Sequence, residues 1–295
     1  MKKIFCLFLI LIFCAGCGAE NTENKNSEPE PIKKTVEEQA KEMAAEGKFI
    51  LAAEDFSNLQ LTDVDKPVYD ALGVWDRQEK NLPMALPDIT PYESESVVYL
   101  TFDDGPDDKI TPQILDVLKQ EEVKATFFVL GVNVETYPDV LKRIFEEGHA
   151  IGNHSYDHVY KTLYKSPWDF AQEMTKTDEI IQAYIGVRPL IIRAPGGVAG
   201  AFDANYWEMT RAMGYAEYDW NTSTEDATPQ APNASTQINN VLQQLGDNPP
   251  HTVILLMHSK DGKEETVKAL PDLIHMFRDW GYKFGVITPM TPQPW

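Results

Sequence analysis

Residues 97–106 read VVYLTFDDGP, an apolar run that ends in two adjacent aspartates and a Gly-Pro pair. Six residues without a charge fit a strand buried on both faces. Two like charges at its end repel each other and are poorly solvated, so a cation has to compensate them. An Asp-Asp-Gly-Pro turn would also satisfy the local pattern, because Asp, Gly and Pro all favour turns. The rest of the chain has to decide between a turn and a site.

From residue 97 onward, short apolar runs alternate with longer amphipathic ones, the pattern of βα units around a parallel sheet. Strands are expected at 97–102, 125–130, 150–152, 190–192, 216–218, 252–257 and 283–286, and helices at 111–120, 138–147, 167–185, 203–213, 235–245 and 264–280. Such units suit a closed or nearly closed α/β barrel, whose chemistry collects at the C-terminal ends of the strands. Polar residues recur at those ends: Asp103 and Asp104, the group 153–158 (NHSYDH), Arg193 before Pro195, Gly196 and Gly197, residues 219–226 (DWNTSTED), and His258. That recurrence favours the site over the turn.

His154 and His158 are four residues apart, which would put both imidazoles on one side of a helical turn, able to share a metal. The spacing alone serves two surface histidines at a helix start equally well. Asp104 is the natural third ligand, because two imidazoles and one carboxylate leave an open position on zinc for water. Asp103 then stays free as general base, with Arg193 holding it oriented. Bound water has its pKa lowered from ~15.7 to ~7, worth about 12 kcal/mol at 1.36 kcal/mol per unit. His258, at the end of an apolar run, suits a general acid that protonates a leaving amine, with Asp226 as its partner. Gly196 and Gly197 allow backbone N–H groups to approach an oxyanion.

Together and in this order these residues resemble the polysaccharide deacetylases with a NodB homology domain, carbohydrate esterase family 4, over about residues 97–289. The first motif, TFDDGP, is present at 101–106; the second, H-S/T-x-x-H, is met by His154, Ser155 and His158. The third, usually R-P-P-Y-G, corresponds to 193–197 (RAPGG), and the fifth, L-x-H, to Leu256, Met257 and His258. The resemblance implies a distorted (β/α)7 barrel and one metal, usually zinc, with cobalt or another divalent ion as alternatives. It also implies hydrolysis of the acetamido group of N-acetylated sugars, with Pro195 and Leu256 among the substrate-facing residues. Two departures stand out. Gly196 takes the place of the usual Tyr, and in the fourth motif, usually Asp-Trp, Asp226 is followed by Ala227. Asp219-Trp220 is a competing alignment; Asp226 is preferred, with Trp220 partly filling the pocket.

Length, charge and cysteines bound the rest. The chain of 295 residues suits one main domain with an appendage. Its formal charge of -20, from 26 Lys plus Arg against 46 Asp plus Glu, opposes binding to nucleic acid. Residues 1–16 read as a lipoprotein signal peptide: two lysines, then an apolar run too short to span a bilayer, then Ala-Gly-Cys, with Cys17 the lipidated residue. Cys6, Cys14 and Cys17 are the chain's three cysteines, so the mature chain forms no internal disulfide. Residues 17–35 read as the lipidated Cys and a polar tether, and 36–96 as an extension that is either a small packed element or a spacer, with no assigned role. The expected product is a monomer anchored outside the cytoplasm, acting on an N-acetylated polysaccharide such as peptidoglycan. Two other readings remain: a wall-binding lipoprotein whose altered fourth motif has cost it turnover, and a non-haem iron oxygenase using the same His-His-Asp triad.

Overall fold

The computed structural model describes residues 34–59, 66–88, 91 and 95–294. The signal peptide, Cys17 and the tether up to residue 33 lie outside the described residues. Among the described residues no helix is long and apolar enough to cross a membrane.

The strands are β1 Ile50–Leu51, β2 Val68–Asp70, β3 Val97–Asp103, β4 Thr126–Val129, β5 Ala150–Asn153, β6 Arg188–Pro189, β7 Ile191–Ile192, β8 Ala216–Glu217, β9 Thr222–Ser223, β10 Thr252–His258 and β11 Lys283–Gly285. The helices are α1 Val36–Ala45, α2 Val74–Glu79, α3 Ile110–Gln120, α4 Gly131–Thr136, α5 Pro138–Glu146, α6 Tyr160–Leu163, α7 Pro167–Ile185, α8 Ala204–Ala212, α9 Ala234–Leu245 and α10 Glu264–Asp279. The main sheet is parallel, ordered β8-β7-β5-β4-β3-β10-β9, with β11 beside the start of β3. Strand pairing stops at β8 on one side and β9 on the other, so the expected barrel is curled but open.

Strand β3 explains both the core and the site. Alternate side chains of a strand point to opposite faces. Val98, Leu100 and Phe102 pack outward with Ile114 and Leu118 of α3 and Leu273 of α10, while Val97 and Tyr99 pack inward with Phe128, Ile191 and Ile254. Each such fully buried side chain stabilises the fold by roughly 1.5–3 kcal/mol. The inward parity continues through Thr101 to Asp103. On β10 it runs from Ile254 through Leu256 to His258, and parallel pairing places His258 directly beside Asp103. Burial of both faces makes the strand uniformly apolar in sequence; parity turns its last residue into the mouth of the barrel.

The described residues of the region 36–96 form a packed extension. Its β1 and β2 form a small sheet with β6, antiparallel across β2 and β6. Tyr69 docks its hydroxyl on the start of β5 in the main domain, accepting from Ile151 N at 2.9 Å and donating to the His149 carbonyl at 3.2 Å. Helix α1 lies on α7, whose terminal Gly186 has φ +76°; a Cβ there would sit 2.5 Å from the Val36 carbonyl oxygen, so only glycine allows this approach.

Candidate active site

Strand ends β3, β5, β7 and β10 bring together the residues that the sequence singles out. Asp104 Oδ1 is 3.6 Å from His154 Nε2 and 3.7 Å from His158 Nε2, and the three ligand atoms lie within 4.8 Å of one another. Asp104 and His154 are buried. His154 Nδ1 donates to the Arg193 carbonyl at 2.8 Å, which fixes the tautomer and leaves the Nε2 lone pair facing Asp104. Asp104 Oδ1 is buried with no hydrogen-bond partner among the described residues. A buried carboxylate oxygen without a donor costs free energy, and a cation between it and two imidazole lone pairs removes that cost. These residues therefore fit a divalent metal held by a mixed nitrogen and oxygen donor set.

The pair does not arise from a helix as the spacing suggests. Residues 154–159 form a loop, α6 begins only at Tyr160, and both Ser155 (φ +77°) and His158 (φ +61°) lie in the left-handed region. The Asn153 side chain accepts from Ser155 N at 3.0 Å, the Ser155 hydroxyl from His158 N at 3.2 Å, and the Asp157 carboxylate from Val159 N at 3.0 Å. Side-chain acceptors thus hold the loop in a shape that an isolated helical turn would not give.

Asp103 is beside this centre. Its Oδ1 accepts from Arg193 Nη1 at 2.8 Å, and its Oδ2 is 3.7 Å from His154 Nε2. Arg193 is fully buried and spends its other donors on Thr101 Oγ1 and on the carbonyls of Tyr218 and Asp219, with its guanidinium 4.2 Å above the Phe128 ring. It is fixed by packing, so it fixes Asp103 in turn.

His258 and Asp226 form a second pair. Asp226 Oδ1 is 2.7 Å from His258 Nδ1, and its Oδ2 accepts from His258 N at 3.0 Å and from Thr266 Oγ1 at 2.8 Å. Burial alone would lower the His258 pKa, but the hydrogen bond and charge of Asp226, with Asp103 and Asp104, raise it above its ordinary value. Burial pushes Asp226 up, and His258, Thr266 and Lys263 outweigh it, so its pKa falls. The competing Asp219 is elsewhere: its carboxylate accepts from Val198 N at 3.1 Å and crowds Glu217, and burial raises both carboxyls.

The pKa shifts of Asp104 and His154 suit a metal-binding role. Burial raises Asp104, yet the charges of His154, His258 and Lys260 bring it down to about 2. Burial dominates His154 and lowers its pKa, favouring the neutral imidazole that a metal needs.

The third-motif loop is only partly as expected. Gly197 N–H donates to the Ala194 carbonyl at 2.8 Å, closing a turn, so it is not free for an oxyanion. Gly196 is exposed and remains the backbone donor at this position. The Pro195 carbonyl accepts from Tyr164 Oη at 2.7 Å. Trp220 is half-buried, and a Cβ on Gly197 would lie 3.3 Å from its ring. Leu256 is buried one position before Met257 on the inward face of β10.

Three groups have no signal in the sequence. Lys260 Nζ donates to Asp104 Oδ2 at 2.6 Å, and Asn133 Nδ2 to the Asp104 carbonyl at 2.7 Å. Tyr160 lies against His158, with ring centroids 5.1 Å apart. Lys260 is only two residues from His258 in the chain; Asn133 and Tyr160 sit on the short helices α4 and α6, whose placement at the site the sequence does not reveal.

The family model described as polysaccharide deacetylase matches residues 91–218, which include Asp103, Asp104, His154, His158 and Arg193. A peptidoglycan-N-acetylglucosamine deacetylase of Bacillus cereus is 39% identical over 202 residues, 68% of this chain and 70% of the relative. A Streptococcus mutans CE4 esterase structure superposes with TM-score 0.62 at 33% identity, covering 65% of this chain and 86% of that one. The catalytic domain of a peptidoglycan N-acetylglucosamine deacetylase from Eubacterium rectale gives TM-score 0.61 at 31% identity, covering 69% and 94%.

Proposed function

The chain belongs to the polysaccharide deacetylase family, and from that premise we propose that it is a metal-dependent hydrolase that removes acetyl groups from N-acetylated sugars of a polysaccharide, with peptidoglycan N-acetylglucosamine as substrate. The observation that carries the metal is the orphaned Asp104 Oδ1 facing two imidazole nitrogens. The sugar and its polymer rest on what the relatives act on.

Asp104, His154 and His158 would hold the metal, which supplies a Lewis acid and a water of lowered pKa. Asp103 accepts the proton of the attacking water on Oδ2, because Arg193 occupies Oδ1 and holds the carboxylate in place. The developing oxyanion receives the Gly196 N–H. His258 has Nδ1 committed to Asp226, so Nε2 donates a proton to the departing nitrogen as the C–N bond breaks. Acetate and a free amine result.

Ala227 in the fourth motif leaves the Asp226–His258 pair intact, which favours turnover over a purely binding role. We also propose that residues 1–16 are removed, that Cys17 is lipidated, and that the enzyme works outside the cytoplasm on a membrane anchor; this rests on the N-terminal sequence. Two acyl chains or more hold a protein stably on a bilayer, at about 0.8 kcal/mol per buried methylene.

The test is to offer zinc-loaded protein muropeptides and chitooligosaccharides and weigh the products. Loss of one acetyl mass per modified sugar, abolished by chelation, is expected. Substrate binding without mass change would establish the wall-binding reading, and an oxygen-dependent product with iron bound would establish the oxygenase.

A further inference from the structure

Tyr160 opens helix α6 two residues after His158 and is 52% exposed. Its ring is tilted 54° to the His158 imidazole and nearly parallel to Tyr164, at 5.9 Å and 23°. On the far side of the hydroxyl stands Gly196, where a Cβ would lie 2.8 Å from Tyr160 Oη and 3.3 Å from Cζ. Tyr160 therefore fills the space that a side chain at 196 would need, and its ring joins the imidazole of one metal ligand to the backbone donor at Gly196. Single exposed aromatic residues are ordinary on protein surfaces. This one packs against His158 and Tyr164 and has its hydroxyl beside Gly196, so it stands next to the candidate reaction centre.

We propose that Tyr160 is a substrate-binding residue, the wall on which the sugar bearing the acetamido group rests. A pyranose ring has a C–H face and a rim of hydroxyls; a tyrosine offers an apolar face and one polar tip, at little conformational cost. The ring takes the C–H face and Oη hydrogen-bonds a sugar hydroxyl. This deepens the deacetylase reading and rests on it for the identity of the ligand.

The test measures binding of N-acetylglucosamine tetramer by calorimetry to the zinc-loaded full chain carrying Asp103→Asn, which prevents turnover. Adding Tyr160→Ala should weaken tetramer binding at least tenfold, and Tyr160→Phe by a few-fold, while zinc affinity measured by chelator competition stays within twofold. Equal tetramer affinity with and without the ring overturns the proposal. So does a parallel fall in zinc affinity, which would mean that Tyr160 only positions His158, and so does failure of the parent to bind tetramer. Acetate release is read separately on the unmutated chain: tetramer binding without release defeats the deacetylase reading while the Tyr160 affinities still decide this one.

Discussion

Two buried charge networks, about equally dry, do opposite things in this molecule. One joins the extension to the barrel: Asp70 accepts from Arg77 and Arg188, and Asp178 accepts from Arg188, Tyr215 and Asn153. Arg77 and Arg188 are fully buried, and their remaining donors go to backbone carbonyls, including Glu54, Pro83 and Leu72. The other network holds Asp103, Asp104, Arg193 and the histidines, and there Asp104 Oδ1 has no donor among the described residues. The pKa directions diverge as well. Burial outweighs the Arg188 charge and raises Asp178 to about 6, whereas the surrounding cations bring Asp104 to about 2. A saturated network is structure; an unsaturated one, with its carboxylate kept anionic, offers the donors of a candidate metal site.

The contrast breaks most visibly at the site's centre. Asp104→Ala or His158→Ala should reduce acetate release by about 10³-fold or more, over 4 kcal/mol of transition-state stabilisation, with the melting temperature almost unmoved. A large loss of stability in either variant would show that the site is structural too. In the seam the effects exchange places. Removing one partner of a buried ion pair costs about 3–5 kcal/mol, so Arg188→Met should lower the melting temperature by roughly 6–20 °C at 2–4 °C per kcal/mol and leave kcat per folded molecule near wild type. That loss should be smaller at pH 5 than at pH 8, since Asp178, with its folded pKa raised, can then take a proton and shed its unpaired charge.

A gentler test separates His258 from the ligands. Its raised pKa keeps the acid form present above the ordinary value of about 6.5, so Asp226→Asn should move the alkaline limb of the kcat profile downward, alongside a fall of about 10–100-fold at the optimum. The pair's stabilisation is lost as pH rises through the folded pKa of His258 and as it falls through the depressed pKa of Asp226. Wild type and Asp226→Asn should therefore differ most in stability between about pH 4 and 6.5. An unchanged limb would remove His258 from the role of acid. Metal binding gives a readout independent of turnover: saturating zinc at 100 times its Kd should stabilise the wild type by about 2.7 kcal/mol and leave His158→Ala at its metal-free melting temperature.

The same contrast explains what the sequence discloses. Strands buried on both faces, such as β3 and β10, announce themselves as apolar runs, and their terminal residues Asp103 and His258 follow from parity. The seam does not, because Asp70 and Arg188 are 118 residues apart and their strands have three and two residues. Local spacing misleads at His154 and His158, whose convergence comes from a loop with two left-handed residues and not from helical periodicity. It is silent on Lys260 and Tyr160, whose placement at the site the sequence does not reveal. In three dimensions Asp226, and not Asp219, meets His258, through two hydrogen bonds that no local pattern encodes.

The most direct test is a zinc-edge anomalous difference map from crystals of the full chain grown with one equivalent of zinc. A single peak is expected about 2.0–2.2 Å from Asp104 Oδ1 and from Nε2 of His154 and His158, with Asp103 adjacent but not a ligand. A peak at any other cluster, or none at these three atoms in a zinc-loaded crystal, would contradict this assignment.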